Sequence, residues 1–241
     1  MAEQNSSAVW YAQAMNTTIA ENLSRVQAQI EGACQAAGRP PHSVSLLAVS
    51  KTWGPQAVRA AHDAGQTAFG ENYIQEAVDK IGALKDLTLE WHCIGPIQSN
   101  KTRLVAEHFD WVHSVDRIKI AQRLSEQRPH HLAPLQVCIQ VNVDGGETKS
   151  GVSPQELPAL AQAVAALPHL QLRGLMTIPD PTETDAQMRA VHAQAKALFE
   201  ALRQQGLPLD TLSMGMSADM EAAIAEGSTM VRVGTAIFGK R

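Results

Sequence analysis

From residue 45 onward, short apolar runs alternate with longer segments of helical spacing. The runs are SLLAVS (45–50), TAFG (67–70), LEWHCIG (89–95), WVHSV (111–115), LQVCIQVNV (135–143), LQLRGLMTI (170–178), TLSMG (211–215) and TMVRVG (229–234). Each has the length of a strand. Between them apolar positions recur every three or four residues, which predicts helices over 55–64, 74–84, 99–107, 118–127, 154–167, 185–205 and 218–226. Ser153-Pro154 and Ser217 read as helix starts, Gly65 and Gly206 as helix ends. One more helix leads the chain. Its apolar positions are Ile19, Leu23, Val26, Ile30 and Ala33. Asn16 or Thr17 caps it, and Gly38 followed by Pro40 and Pro41 stops it. Residues 1–15 are polar and read as a flexible N-terminal tail, which leaves 16–241 as one domain.

Strict alternation of strand and helix requires parallel strands, because a parallel pair needs a crossover. The fold class is therefore α/β. Eight units suit a single (β/α)8 TIM barrel, whose usual size is roughly 250 residues, with the N-terminal helix as an addition. An open doubly wound sheet of eight strands is the second arrangement. The chain has 241 residues, 44% hydrophobic and 18% charged, a globular composition.

The net charge of -4 lacks the positive field that nonspecific nucleic-acid binding needs. The apolar runs are too short to span a bilayer, and MAEQNSSAVW carries no basic-then-apolar signal, so a cytoplasmic location is expected, with no membrane or nucleic-acid partner. Cys34, Cys93 and Cys138 are odd in number and far apart, which reads as buried free thiols in a reducing compartment. There is no HExxH, and His130-His131 reads as a surface loop, so no metal site is expected.

The runs end at chemically rich positions, and a barrel's chemistry sits at the C-terminal ends of its strands. Lys51 follows SLLAVS and shares a face with Leu47 and Val49. At the mouth of an apolar strand an amine is partly desolvated, which favours the neutral form that attacks a carbonyl. On position alone, a lysine that merely snorkels to solvent is the commoner case. Residues 95–102, GPIQSNKT, come close to a phosphate loop, but Asn100 replaces the second glycine and Pro96 removes an N–H. Near the C-terminus, Ser213-Met-Gly-Met-Ser217 and Arg232-Val-Gly234-Thr235 end the seventh and eighth runs, the usual phosphate site of this barrel. Ser217 offers a hydroxyl at a helix start, Gly234 and Thr235 offer backbone N–H groups. A lysine on strand one and a phosphate cradle on strands seven and eight together suit an aldehyde that carries a phosphate. Pyridoxal 5′-phosphate (PLP) is the economical candidate.

The stretches LLAVSKT (46–52), FGENYIQEA (69–77), LEWHCIGPIQSNKT (89–102), VHSVDR (112–117), LRGLMTIP (172–179), LSMGMSADMEAAI (212–224) and VRVGTAIFG (231–239) closely resemble the pyridoxal phosphate homeostasis protein family, single-domain relatives of the alanine racemase barrel. The resemblance implies a type III PLP fold without the C-terminal β domain, with the cofactor held as a Schiff base on Lys51. It implies that Asn72 lies beside the pyridine ring, that Ser217, Gly234 and Thr235 hold the phosphate, and that Arg232 faces the ring nitrogen. A guanidinium only donates, so that nitrogen would stay unprotonated. After the fifth strand the family shows Asn-x-x-x-Glu-x-x-Lys-x-Gly; here Asn142, Lys149 and Gly151 match, but Gly146 stands at the glutamate position, with Glu147 next to it.

Two readings share this site. The favoured one is a non-catalytic PLP carrier that buffers or delivers the cofactor, with apo PLP-enzymes as partners, a monomeric state and no catalytic residues of its own. The alternative is a PLP-dependent amino-acid racemase of weak or narrow activity, which needs a second base opposite Lys51. Only Tyr11 and Tyr73 are tyrosines, and a chain that closes with the eighth strand leaves no length for a second domain. A lysine Schiff-base aldolase without cofactor is the third reading.

Overall fold

Eight strands close into a barrel: β1 (Ser45–Val49), β2 (Ala68–Glu71), β3 (Glu90–Cys93), β4 (Trp111–Val115), β5 (Leu135–Gln140), β6 (Leu170–Met176), β7 (Thr211–Ser213) and β8 (Met230–Val233). Every strand pairs in parallel with the next in sequence, and β8 returns to β1, where Leu47 sits opposite Arg232. Closure excludes the open doubly wound sheet. The computed structural model describes residues 2–146 and 150–240, with side chains from Asn16 onward.

The crossovers are α2 (Pro55–Asp63), α3 (Ile74–Ala83), α4 (Thr102–His108), α5 (Ile118–Gln127), α6 (Leu157–Ala165), α7 (Asp185–Gln204) and α8 (Met220–Ala225). A helix α1 (Ala2–Ala36) precedes the barrel, and a short α9 (Thr235–Phe238) follows β8. The periodicity did not predict α9, which is a single turn. α1 begins ahead of the Asn16 or Thr17 start, and its buried face is Ile19, Leu23, Val26, Ile30 and Cys34, with Ala33 only partly covered. It packs on α2, α8 and α9, and Asn22 Nδ2 donates to Ile237 O at 2.9 Å.

Local chemistry moves three helix starts from their expected places. Residues 99–101 form a 3₁₀ turn before α4, and Thr102 Oγ1 donates back to Ser99 O at 3.0 Å. Ser153 Oγ donates to Glu156 Oε2 at 2.6 Å while Glu156 N–H donates to Ser153 Oγ at 3.3 Å, so 154–156 form a turn and α6 starts at Leu157. Asp219, not Ser217, occupies the N-cap position of α8. The helix ends are as read: Gly65 and Gly206 have φ of 98° and 93°, and Gln66 and Leu207 N–H bond back to Ala61 O and Leu202 O.

Strand alternation sorts the side chains. Val112, Val137, Ile139, Leu175, Leu212, Val231 and Val233 belong to the large core between barrel and helices. Trp111, Cys138 and Met176 form a separate small cluster, and the same inner face carries His92, His113, Ser213 and Arg232. The barrel interior thus carries several buried polar side chains. Cys34, Cys93 and Cys138 are free and buried, and burial pushes the Cys93 and Cys138 thiols up to about 12. Among the described residues no helix is long and apolar enough to cross a membrane, and no group of three His, Cys, Asp or Glu could hold a metal.

Candidate cofactor site at the C-terminal mouth of the barrel

A cavity of about 640 Å³ opens where β1, β2 and β8 end. Lys51, Asn72, Ser217, Arg232, Gly234 and Thr235 all line it. These six lie far apart in the sequence, and the barrel brings them to one mouth. A larger cavity of about 780 Å³ lies at the opposite, N-terminal mouth, with Glu90, Arg173 and Asp210 in its wall. Barrels of this kind place their chemistry at the C-terminal face, and none of the six candidates lines the N-terminal cavity.

Lys51 stands just beyond β1 and is exposed, not half-buried as expected from a strand mouth. The chain turns outward there: Trp53 N–H donates to Ser50 O at 3.0 Å, and Thr52 adopts φ 67°, a left-handed conformation rare for a β-branched residue. A buried cluster missed by sequence reasoning braces this turn. Lys80 Nζ donates to Ser50 O at 2.9 Å, to Glu71 Oε1 at 2.5 Å and to Glu76 Oε1 at 3.2 Å. Ser50 Oγ donates to Glu71 Oε1 at 2.6 Å, and Thr52 N–H to Glu76 Oε1 at 2.7 Å. Burial raises the Glu71 carboxyl above its ordinary value, against the pull of Lys80. The only sequence signal was Glu76 four residues before Lys80, an ordinary surface-helix pattern.

Asn72 follows β2, and its Oδ1 is buried without a hydrogen-bond partner. A buried acceptor of this kind fits a ligand that brings a donor. Gly95 explains how Asn72 gets there. A Cβ on Gly95 would overlap the Asn72 carbonyl oxygen and lie 2.8 Å from its Cα. The GP of the near-phosphate loop therefore serves close backbone approach, while Gly95 O accepts from Ser114 Oγ at 2.6 Å.

On the other wall, Ser217 is exposed in the turn before α8. Asp219 Oδ1 accepts from Met216 N–H at 2.7 Å, and its Oδ2 lies 3.0 Å from His192 Nε2 of α7. Asp219 is half-buried. Burial alone would raise its carboxyl, but the His192 and Met216 hydrogen bonds hold it below the ordinary value. Gly234 and Thr235 open α9, ahead of its first bonds, which Ile237 and Phe238 N–H make to Gly234 O. A Cβ on Gly234 would meet Val49 O at 3.0 Å, so this corner is built for bare backbone. Exposed N–H groups at a helix start and a nearby hydroxyl are the donors a phosphate takes.

Arg232 is buried, and burial lowers its guanidinium to about 10. Its Nη1 donates to Ser213 Oγ and its Nη2 to Thr177 O, both at 2.8 Å. After β5, Asn142 Nδ2 donates to Gly146 O at 2.8 Å and Gly145 N–H to Asn142 Oδ1 at 3.1 Å, a closed turn without a carboxylate at position 146. Glu147 and Lys149 lie outside the described residues. Of the two tyrosines, Tyr73 is 56% exposed and does not line the cavity, and the side chain of Tyr11 lies outside the described residues.

Fold and mouth define a class. Residues 21–241 match the family model described as alanine racemase, N-terminal domain. An alanine racemase of Corynebacterium glutamicum superposes with a TM-score of 0.71 at 20% identity, over 94% of this chain and 62% of that one, a likeness of fold. Within the class, the similarity is much higher to shorter proteins. A pyridoxal phosphate homeostasis protein of Pseudomonas aeruginosa is 64% identical over 225 residues, 93% of this chain and 96% of the relative. PipY of Synechococcus elongatus PCC7942, solved with PLP bound, is 42% identical, with a TM-score of 0.81, over 92% of this chain and all of that one. The chain belongs to the pyridoxal phosphate homeostasis protein family.

Proposed function

We propose that this chain binds PLP at the C-terminal mouth of its barrel and takes part in the cofactor's homeostasis, buffering it and delivering it to apo PLP-enzymes. The observation that carries this reading is the convergence of all six candidate residues on one cavity. PLP supplies an aldehyde that condenses with an amine and a phosphate that takes several hydrogen bonds.

Each wall then has a task. Lys51 offers its amine from a turn that Lys80 and Glu76 hold in place. Asn72 sits beside the ring with an acceptor still to be paired. Ser217, Gly234 and Thr235 give the phosphate a hydroxyl and backbone N–H groups. Arg232 presents a guanidinium to the ring nitrogen, donating and never accepting a proton. The unit that does this is 16–241, with 1–15 outside it, acting as a cytoplasmic monomer.

A carrier is favoured over a racemase. Racemisation needs a base on each side of the reacting carbon, and Tyr73, the tyrosine whose side chain is described, does not line the cavity. No residue is assigned a catalytic role.

The test is transfer. Chain loaded with PLP is mixed with an apo-enzyme, and activation is compared with release of cofactor into free solution. Activation that outpaces release supports delivery. A chain that takes up no PLP contradicts the reading.

A further inference from the structure

A line of hydrogen bonds crosses the barrel interior and joins its two mouths. Glu90 Oε1 lies 2.8 Å from His92 Nε2, His92 Nδ1 lies 2.8 Å from His113 Nε2, and His113 Nδ1 lies 2.9 Å from Ser213 Oγ. Ser213 Oγ lies 2.8 Å from Arg232 Nη1. Glu90 is in the wall of the N-terminal cavity, Arg232 in the wall of the cofactor cavity. His92, His113 and Ser213 between them are fully buried.

The two ends fix the direction of the outer bonds, and neutral imidazoles then fix the inner two. A carboxylate only accepts and a guanidinium only donates. His92 Nε2 must therefore carry a proton towards Glu90, and Ser213 Oγ must accept from Arg232. Four contacts need four protons. Arg232 supplies one, the Ser213 hydroxyl one, and two neutral imidazoles one each. His113 then donates through Nε2 and accepts the Ser213 hydroxyl at Nδ1. A fifth proton would set two donors against each other or turn the hydroxyl out of line.

Packing holds the rings for this. His92 stacks on Trp111 with centroids 5.3 Å apart and planes 9° apart, and His113 meets His92 edge-on at 5.1 Å. Trp111 is itself covered by Arg173, 4.8 Å from its centroid.

We propose that Glu90, His92, His113 and Ser213 form a positioning relay, with both histidines neutral and protonated on Nε2, that fixes the Arg232 guanidinium against the cofactor cavity. Arg232 also closes the line. It has no acceptor, so a proton entering at Glu90 cannot pass to a ligand. The surrounding charges agree. Burial holds both imidazoles below their ordinary value, His113 well below, with His92 and Arg232 adding to it. Glu90 and Asp110 pull His92 the other way, and the His92 hydrogen bond holds the exposed Glu90 carboxyl low, with Arg173 assisting.

The relay's role towards the cofactor rests on the placing of Arg232 at the ring, but its proton pattern does not, so the two are tested apart. The first measurement is ¹⁵N-histidine NMR on the cofactor-free chain. His92 and His113 are expected neutral and Nε2-protonated from about pH 6 to 9, around the ordinary histidine range. An imidazolium at either ring, or an Nδ1–H tautomer, overturns the relay. The second uses Glu90→Gln, at the solvent end where folding is safe, and Ser213→Ala, at the cavity end. Glu90→Gln, able to donate as well as accept, should give mixed tautomers at His92. Ser213→Ala should weaken PLP binding about tenfold, the loss of a charge-assisted hydrogen bond, and shift the pH midpoint of the bound cofactor's visible absorbance. Unchanged tautomers in Glu90→Gln, or an unchanged spectrum and affinity in a folded Ser213→Ala, overturn the positioning role. Failure of the unmodified chain to take up PLP overturns the binding proposal while the NMR pattern stands.

Discussion

The Lys80 ammonium lies 2.5 Å from Glu71 Oε1, with both side chains almost completely shielded from solvent. The same ammonium reaches Ser50 O, so one buried cation ties the end of β2 to the turn that carries Lys51. Removing one partner of a buried pair leaves an uncompensated charge. Lys80→Met should cost about 3–5 kcal/mol of stability, read by urea denaturation. Lys80→Met with Glu71→Gln should recover part of that loss, because the neutral amide buries no charge and can still pair with Ser50. An unaltered midpoint in the single variant would show that the pair is not structural.

Lys51 contributes nothing comparable. It is exposed, and surface changes usually stay within about 0.5 kcal/mol. Lys51→Ala should fold and denature like the parent chain, yet fail to bind PLP covalently. A large drop in stability would point to a structural role instead.

Asp219 holds the turn that carries Ser217. Its folded carboxyl sits below the ordinary value despite partial burial, so its contribution is complete above the ordinary carboxylate range and is lost as pH falls through the folded value. Asp219→Ala should cost about 1–3 kcal/mol at neutral pH and weaken PLP binding. The gap between variant and parent should narrow in acid. A gap that widens in acid has the wrong sign for this account.

Gly95 permits the approach of Asn72. Gly95→Ala forces a shift costing about 1–3 kcal/mol and should reduce PLP affinity through displacement of Asn72. Equilibrium titration followed by absorbance reads it. Unaltered affinity would separate Asn72 from the site.

The barrel was legible because parallel strands are covered on both faces and read as near-continuous apolar runs between turn residues. Boundaries slipped where side chains engage the backbone ahead of the helix and delay its start, at Ser153 with Glu156 and at Asp219 with Met216. Of the six candidate residues, Lys51, Ser217, Gly234 and Thr235 stood out by their places at or after the ends of strand patterns, whereas Asn72 and the ring-facing role of Arg232 came from the family resemblance; all six line one cavity. Their supports did not stand out. Lys80 looks like a surface lysine paired with Glu76, and its burial depends on β2 and the β1 turn arriving from elsewhere. His192 lies on a long helix with nothing local to announce Asp219, 27 residues on. His92 and His113 fall on inner faces where alternation predicts apolar filling. The exposure of Lys51 follows from the left-handed Thr52, which no local pattern required.

The central claim is that Lys51, in this cavity, is where PLP is held. The direct measurement is borohydride reduction of PLP-loaded chain, followed by peptide mapping of the adduct. The account predicts one dominant adduct on Lys51 and its loss in Lys51→Ala. An adduct mapped mainly to another lysine, or none at all, would contradict it.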